Sequence, residues 1–326
     1  MEFICQKAGR LDAIMSEALN VPRNQIEKLI KHVGVDVDGV KISKSSFKLL
    51  GGEKIVYDYV EASSDDIAYP VDFDVPILYE DDHMLVINKP PYVTVHGAPS
   101  VKEATLVDWL KLKNIRLSTL SGEERHGIVH RIDKETSGAL VIAKSNEAHT
   151  ELSKQLEDKS MGRYYLAIIE PPLKENMVIE LPIGRNPNHR LKMAITNDGR
   201  YAKSALSKIA LSKDGKKELI AIKLFTGRTH QIRVHLQALS RQILGDGLYG
   251  FKSQNSTIPR VMLHAYVLYL IHPFTKEPLH IYAPLMDDFN ETLRHYFRKE
   301  DYHENIEPDN IIGSFAAFNG WLFKKS

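Results

Sequence analysis

The stretch from Arg125 to Ser145, "RHGIVHRIDKETSGALVIAKS", sets Asp133 between two cations, Arg131 and Lys134, with Arg125, His126 and His130 just upstream. Its second half, "GALVIAKS", is a short apolar run that reads as a buried strand. A run of charges is usually a solvated surface. Fixed at the end of a buried strand, this one reads instead as a loop where an ionised acid meets an anionic substrate.

Working outward, strands and helices follow one another without a βαβ rhythm. "ILYEDDHMLVINKP" reads as strand, acidic turn, strand, and "KEATLVDWLKLKN" as an amphipathic helix. "NEAHTELSKQLED" is a helix, "RYYLAII", "RYAKSALSKIAL" and "KELIAIKLF" are strands, and "THQIRVHLQALS" is a helix with Thr229 as its cap. Many antiparallel-looking strands with a few covering helices predict an α+β fold with a mixed, largely antiparallel sheet.

Upstream, Leu11, Ile14, Met15 and Leu19 fall on one helical face. Pro22 suits the start of a second helix on which Ile26, Leu29 and Ile30 repeat the pattern. "VDVDGV" ends in Asp38-Gly39, a hairpin signal, and "GGEKIVYDYV" reads as another strand. Arg23, Lys28 and Lys31 are candidates for the solvent side of the second helix, with Arg10 on the preceding one. The segment "EASSDDIAYPVDFDVP" is acidic, polar and carries two prolines, as a linker would. The expected organisation is a small domain over 1–60, an acidic linker over 61–76, a catalytic domain over 77–295 and an extension over 296–326.

With 326 residues, 43% of them hydrophobic, the chain can bury a sizeable core. A lone cysteine, Cys5, excludes an intrachain disulfide and suits a reducing compartment. The opening "MEFICQKAGR" lacks an apolar signal region, and "VMLHAYVLYLI" is too short to span a bilayer, so a cytoplasmic protein without membrane attachment is expected. The net charge is only +1, but residues 61–82 hold eight acids and no Lys or Arg, which leaves the rest of the larger C-terminal part basic. That distribution favours a polyanionic partner.

Three motif matches mislead. "GDGLYG" (Gly245–Gly250) fits G-x-G-x-x-G but follows a helical stretch and opens onto polar residues, unlike a dinucleotide fingerprint. "HRID" echoes a kinase loop without its glycine-rich partner. His126 and His130 have zinc-helix spacing but neither the internal Glu nor a third ligand, so no metal is expected. A better partner for the Asp133 loop is "TGRTHQIRVHL" (Thr226–Leu236), which puts Arg228, His230 and Arg233 near a helix N-terminus. Brought together, Arg233 would pair with Asp133 and hold it charged. Tyr164 and Tyr165 offer rings that stack on a base or fill a core.

The small N-terminal unit resembles the S4-like RNA-binding domain over roughly Ala8 to Tyr59. From about Ile77 to Phe289, the motifs "EDDHMLVINKPPYVTVHG", "HRIDKETSGALVIAKS", "RYYLA", "PIGRNPNHRLKMA", "TGRTHQIRVHL", "ILGDGLYG" and "LHAYVLYLIHP" resemble, in order, those of RluA-type pseudouridine synthases. Together they are similar to the RluD/RluC branch acting on large-subunit ribosomal RNA. The resemblance implies that Asp133 is the catalytic aspartate, Tyr165 the tyrosine of a K-x-Y-x-A motif, and Arg233 the arginine paired with the acid. It implies that Arg131 enters RNA and takes the place of a flipped base. His130 and Arg228, and Arg10, Arg23, Lys28 and Lys31 on the N-terminal unit, are the further RNA-binding candidates. No cofactor is implied, and the expected partner is large-subunit ribosomal RNA or its precursor particle, met by a monomer. Arg163 stands where lysine is usual, Ile132 where leucine is usual, and Tyr92 where glycine is frequent. The rival reading is a non-catalytic RNA-binding ribosome-assembly factor on the same fold.

Overall fold

The structure, a computed structural model, describes residues 2–19, 23–57, 69–98, 100–122, 125–250, 258–316 and 322–323, without the side chains of residues 24, 25, 28, 32, 322 and 323. Pro22, residues 61–68 of the linker, the Lys28 side chain and Trp321 therefore lie outside the described residues. Its contacts divide the chain into two units, Met1–Asp72 with His96–Ile128, and Phe73–Val95 with Val129–Ser326. The helical segment that the sequence placed within 77–295 thus groups with the first unit.

In the first unit the helices Leu11–Leu19 and Arg23–His32 bury the apolar positions that their spacing set out: Leu11, Ile14 and Met15, then Ile26 and Ile30. The strands Val35–Val37 and Val40–Ile42 join through Asp38 and Gly39, both at positive φ (51° and 84°), as a tight hairpin between right-twisted strands requires. The Asp36 carboxylate accepts the Gly39 N–H at 2.7 Å and closes the turn. The strand Lys54–Val56 lies between Glu2–Ile4 and Val35–Val37, and the helices cover this sheet through one apolar cluster that includes Cys5, Leu49 and Ile55. The helix Leu106–Leu112 opens on Thr105 with a full capping box to Asp108, which satisfies its first amides.

The second unit is built on a sheet of eleven strands among the described residues. Its centre runs Lys203–Leu211, Glu218–Leu224, Gly162–Glu170, Leu263–Ile271, Ser137–Ala143, Met84–Lys89. All pairs are antiparallel except Ser137–Ala143 against Leu263–Ile271, and Leu322–Phe323 against Met177–Glu180. Gly138 makes the parallel contact possible: at φ +115° a Cβ there would meet the Ala265 carbonyl oxygen at 2.2 Å. The loop before Ser137 is thereby pinned against the strand Leu263–Ile271. The C-terminal extension packs onto this core, with Phe297, Tyr302, Ile311 and Phe315 in the same apolar cluster as Leu166 and Leu219.

Candidate active site

The Asp133 loop emerges from the sheet between two buried cations that grip its backbone. Lys89 Nζ donates to the carbonyls of Pro90, Val93 and Lys134 at 2.7, 2.9 and 3.1 Å. Burial pulls its ammonium down to about 7. Arg260, held by Asp288 through two bonds of 2.5 and 2.7 Å, donates to the Glu135 carbonyl at 3.3 Å. The backbone just after the acid is thus fixed while its side chain projects into a cleft. Tyr92, in the loop after Lys89, does adopt a left-handed conformation (φ 67°), which explains why glycine suits that place. Its hydroxyl donates to the Pro259 carbonyl at 3.1 Å.

The facing wall comes from Thr226–Arg233. The buried Gln231 side chain stitches this turn: its Oε1 accepts from Thr226 Oγ1 (2.7 Å) and the Arg228 N–H (3.0 Å), and its Nε2 donates to the Lys203 carbonyl and Ser204 Oγ. The helix begins at Gln231, with His230 at its N-cap in a left-handed conformation and without a side-chain cap. Thr229, predicted as the cap, instead accepts a bond from Arg131 Nη2 at 2.9 Å. Gln231 takes over the work of fixing the helix start, so the threonine hydroxyl is left to Arg131.

Arg233 bridges the two walls. Its Nη1 donates to Asp133 Oδ2 at 3.2 Å, while Nε and Nη2 donate to the two oxygens of buried Asp246 at 2.8 and 2.7 Å. Burial works against the guanidinium's charge, but Asp246 first and Asp133 second hold its pKa above the ordinary arginine value. Asp246 also accepts the Leu248 and Tyr249 amides. It lies in "GDGLYG", between Gly245 and Gly247, so this motif serves the site through its aspartate. Tyr249 accepts the Met193 N–H at 2.7 Å, and its hydroxyl sits 2.8 Å from His230 Nδ1. That hydroxyl proton suits the imidazole tautomer with N–H at Nε2, 4.0 Å from Asp133 Oδ2.

The two walls border one open cleft. Asp133, Tyr165, Arg131, Arg163, Arg228 and Arg233 all line it, so four arginines face the space that the acid enters. Tyr165 stands on the strand Gly162–Glu170 where its pairing with Leu263–Ile271 shifts register between Tyr164 and Tyr165. Burial pushes its phenol up to about 12. His130 is not among the lining residues. Its Nε2 accepts the Val141 N–H at 3.2 Å and burial depresses its pKa to about 3, so its neutral ring props the loop against a strand. In the first unit, buried Asp12 gathers Arg10 (2.7 Å) and Arg23 (3.1 Å), while Lys31 is exposed. Among the described residues, no three His, Cys, Asp or Glu side chains cluster as metal ligands, and no helix is long and apolar enough to cross a membrane.

The family described as RNA pseudouridylate synthase matches residues 83–238, and the S4 domain matches residues 9–55. An "uncharacterized RNA pseudouridine synthase" of Helicobacter pylori is 43% identical over 94% of this chain and 96% of its own length. "Ribosomal large subunit pseudouridine synthase D" of Nitrosomonas europaea is 35% identical, covering 87% of this chain and 83% of that protein. The solved structure "Human RNA Pseudouridylate Synthase Domain Containing 1" shares the fold, with a TM-score of 0.52 over 68% of this chain and 94% of that one, at 23% identity.

Proposed function

Because the chain belongs to the RNA pseudouridylate synthase family and carries an S4 domain, we propose that it isomerises specific uridines of large-subunit ribosomal RNA, free or in its precursor particle, with Asp133 as the catalytic group. The observation that carries this reading is the carboxylate of Asp133, held by Arg233, in a cleft lined by four arginines. The relatives named for the ribosomal large subunit support the choice of RNA.

The reaction is an isomerisation: the bond from N1 to the ribose breaks, the uracil turns, C5 joins the ribose, and the proton lost from C5 is matched by one gained at N1. It needs no redox step and no group donor. The uridine first leaves its stack, at a cost of a few kcal/mol. Arg131, exposed at the mouth of the cleft, fills the place it vacates, and Arg228 takes a neighbouring phosphate. Asp133 acts on the flipped nucleotide, as a nucleophile at uracil C6 or as the base that removes a ribose proton to give a glycal. Tyr165 stacks on the turning ring. The N-terminal S4 domain adds phosphate contacts through Arg10, Arg23, Lys28 and Lys31. The protein works as a monomer in the cytoplasm. Incubating the purified chain with a large-subunit RNA transcript, then digesting and resolving the nucleosides, tests the reading. Pseudouridine at a few defined positions is expected; its absence from that transcript and from precursor particles would leave a non-catalytic RNA-binding factor.

A further inference from the structure

We propose that Arg163 is a further catalytic residue of this isomerisation, the buried cation that stabilises the uracil ring while negative charge builds on it. The proposal rests on the uridine-isomerase reading above. Arg163 is 8% exposed and lines the same cleft as Asp133 and Tyr165. Its Nε is buried with no hydrogen-bond partner, and none of the ion pairs among the described residues includes it. The two other buried arginines of this unit are differently placed: Arg233 has Asp246 and Asp133, and Arg260 has Asp288. Among its neighbours the Tyr165 phenol favours its charge and Arg228 opposes it, His130 is neutral through burial, and no carboxylate pairs with it among the described residues. An uncompensated buried charge costs several kcal/mol. Such a group is retained where a ligand supplies the missing partner.

Its position fits one part of the ligand. Arg163 stands two residues before Tyr165 on the same strand. Its guanidinium lies under Gly227, where a Cβ would meet Nη1 at 2.6 Å, so the turn that carries Arg228 and Arg233 leaves it room. Arg131 and Arg228, the less buried cations of the cleft, are placed for the vacated stack and the phosphate backbone, whereas the buried cation is placed for the base. When the N1–C1′ bond breaks, its electron pair stays on N1 and spreads to O2 and O4. N–H donors fixed in a site with little water stabilise that charge strongly. The ring is neutral once the C5–C1′ bond forms; the C5 proton then leaves to a base, negative charge returns briefly to the ring, and a proton taken up at N1 leaves the product neutral. Arg163 gives up no proton in the cycle.

The test uses the full-length protein, Arg163→Lys and Arg163→Met, in single-turnover reactions on an RNA carrying the target uridine or 5-fluorouridine at that position, with thermal melts of each variant. Fluorine stabilises the departing ring as an anion, so a missing cation matters less on that substrate. The expected result is that Arg163→Met loses on the order of 10²-fold in rate on uridine, clearly less on 5-fluorouridine, and melts at or above the wild-type temperature, with Arg163→Lys in between. An equal loss on both substrates, or a loss matched by a lower melting temperature, would overturn the proposal and leave Arg163 a structural group. A wild-type protein that forms no pseudouridine would overturn the isomerase reading and the proposal with it. An active wild type with an indifferent Arg163 would overturn the proposal alone.

Discussion

Asp246 holds Arg233 by two bonds of 2.7 and 2.8 Å, closer than the 3.2 Å contact of Arg233 with Asp133. The arginine is therefore anchored by the aspartate that stays buried, and offers its remaining edge to the one in the cleft. Asp246→Asn keeps the shape and removes the charge. Because it leaves a buried guanidinium short of a partner, it should cost about 3 kcal/mol of stability. Misplacing the arginine by about 1 Å should lower the rate on the order of 10²-fold. Wild-type melting and turnover in this variant would show that Arg233 needs no anchor.

Tyr165 is expected to work through its ring. Burial pushes its phenol up to about 12, so the proton stays on oxygen at neutral pH. Tyr165→Phe should keep most of the rate, and Tyr165→Ala should lose far more. A collapse in Tyr165→Phe with RNA binding intact would instead give the hydroxyl the proton-transfer role.

Acid should unfold the second unit in a window set by buried histidines. His264, between Ser137 Oγ (2.8 Å) and the Ala283 carbonyl (3.0 Å), is depressed from 6.5 to about 4 by burial, and so is His235. Below pH 6.5 the unfolded chain takes up protons that the folded chain refuses. Their contribution is complete above 6.5 and is lost as pH falls toward 4, at up to roughly 1.4 kcal/mol per pH unit for each. Urea midpoints at pH 7 and pH 5 check this. His264→Gln should narrow the gap between them, and an unchanged gap would mean that His264 does not titrate there.

On the N-terminal unit, Asp12 is fully buried, and Arg10 and Arg23 hold its carboxyl down at about 2. Changing the arginines alone would strand that carboxylate and confuse binding with folding. Replacing the whole clamp, Arg10→Gln with Asp12→Asn and Arg23→Gln, avoids this. If both arginines touch phosphates, the slope of log affinity against log salt should shrink by about 0.7–0.9 for each phosphate the variant no longer neutralises. An unchanged slope in a variant that melts normally would remove this face from RNA binding.

Local signals in the sequence located much of this arrangement. The apolar alternation and the Asp38-Gly39 turn set the hairpin, and the buried run after Asp133 set the strand from which the loop hangs. Two motifs a hundred residues apart in the chain announced the pair Asp133 and Arg233. Features that depend on burial rather than residue type are not legible in the sequence. Asp246 stands inside a glycine pattern, Lys89 beside two prolines and Arg260 in a loop, and residue type alone does not mark them, yet each is a buried charge fixing a backbone or a side chain at the site. For His130 the sequence shows the chemistry of the ring and not the Val141 amide it accepts from.

The most direct test of the whole account is the Asp133→Asn variant on the RNA that the wild type modifies. Asparagine keeps the size and the hydrogen bond from Arg233 but loses the charge. Pseudouridine formation should vanish in single turnover while RNA affinity stays within a few-fold and the melting temperature holds. Appreciable pseudouridine from the purified variant would contradict the assignment of Asp133 as the catalytic group.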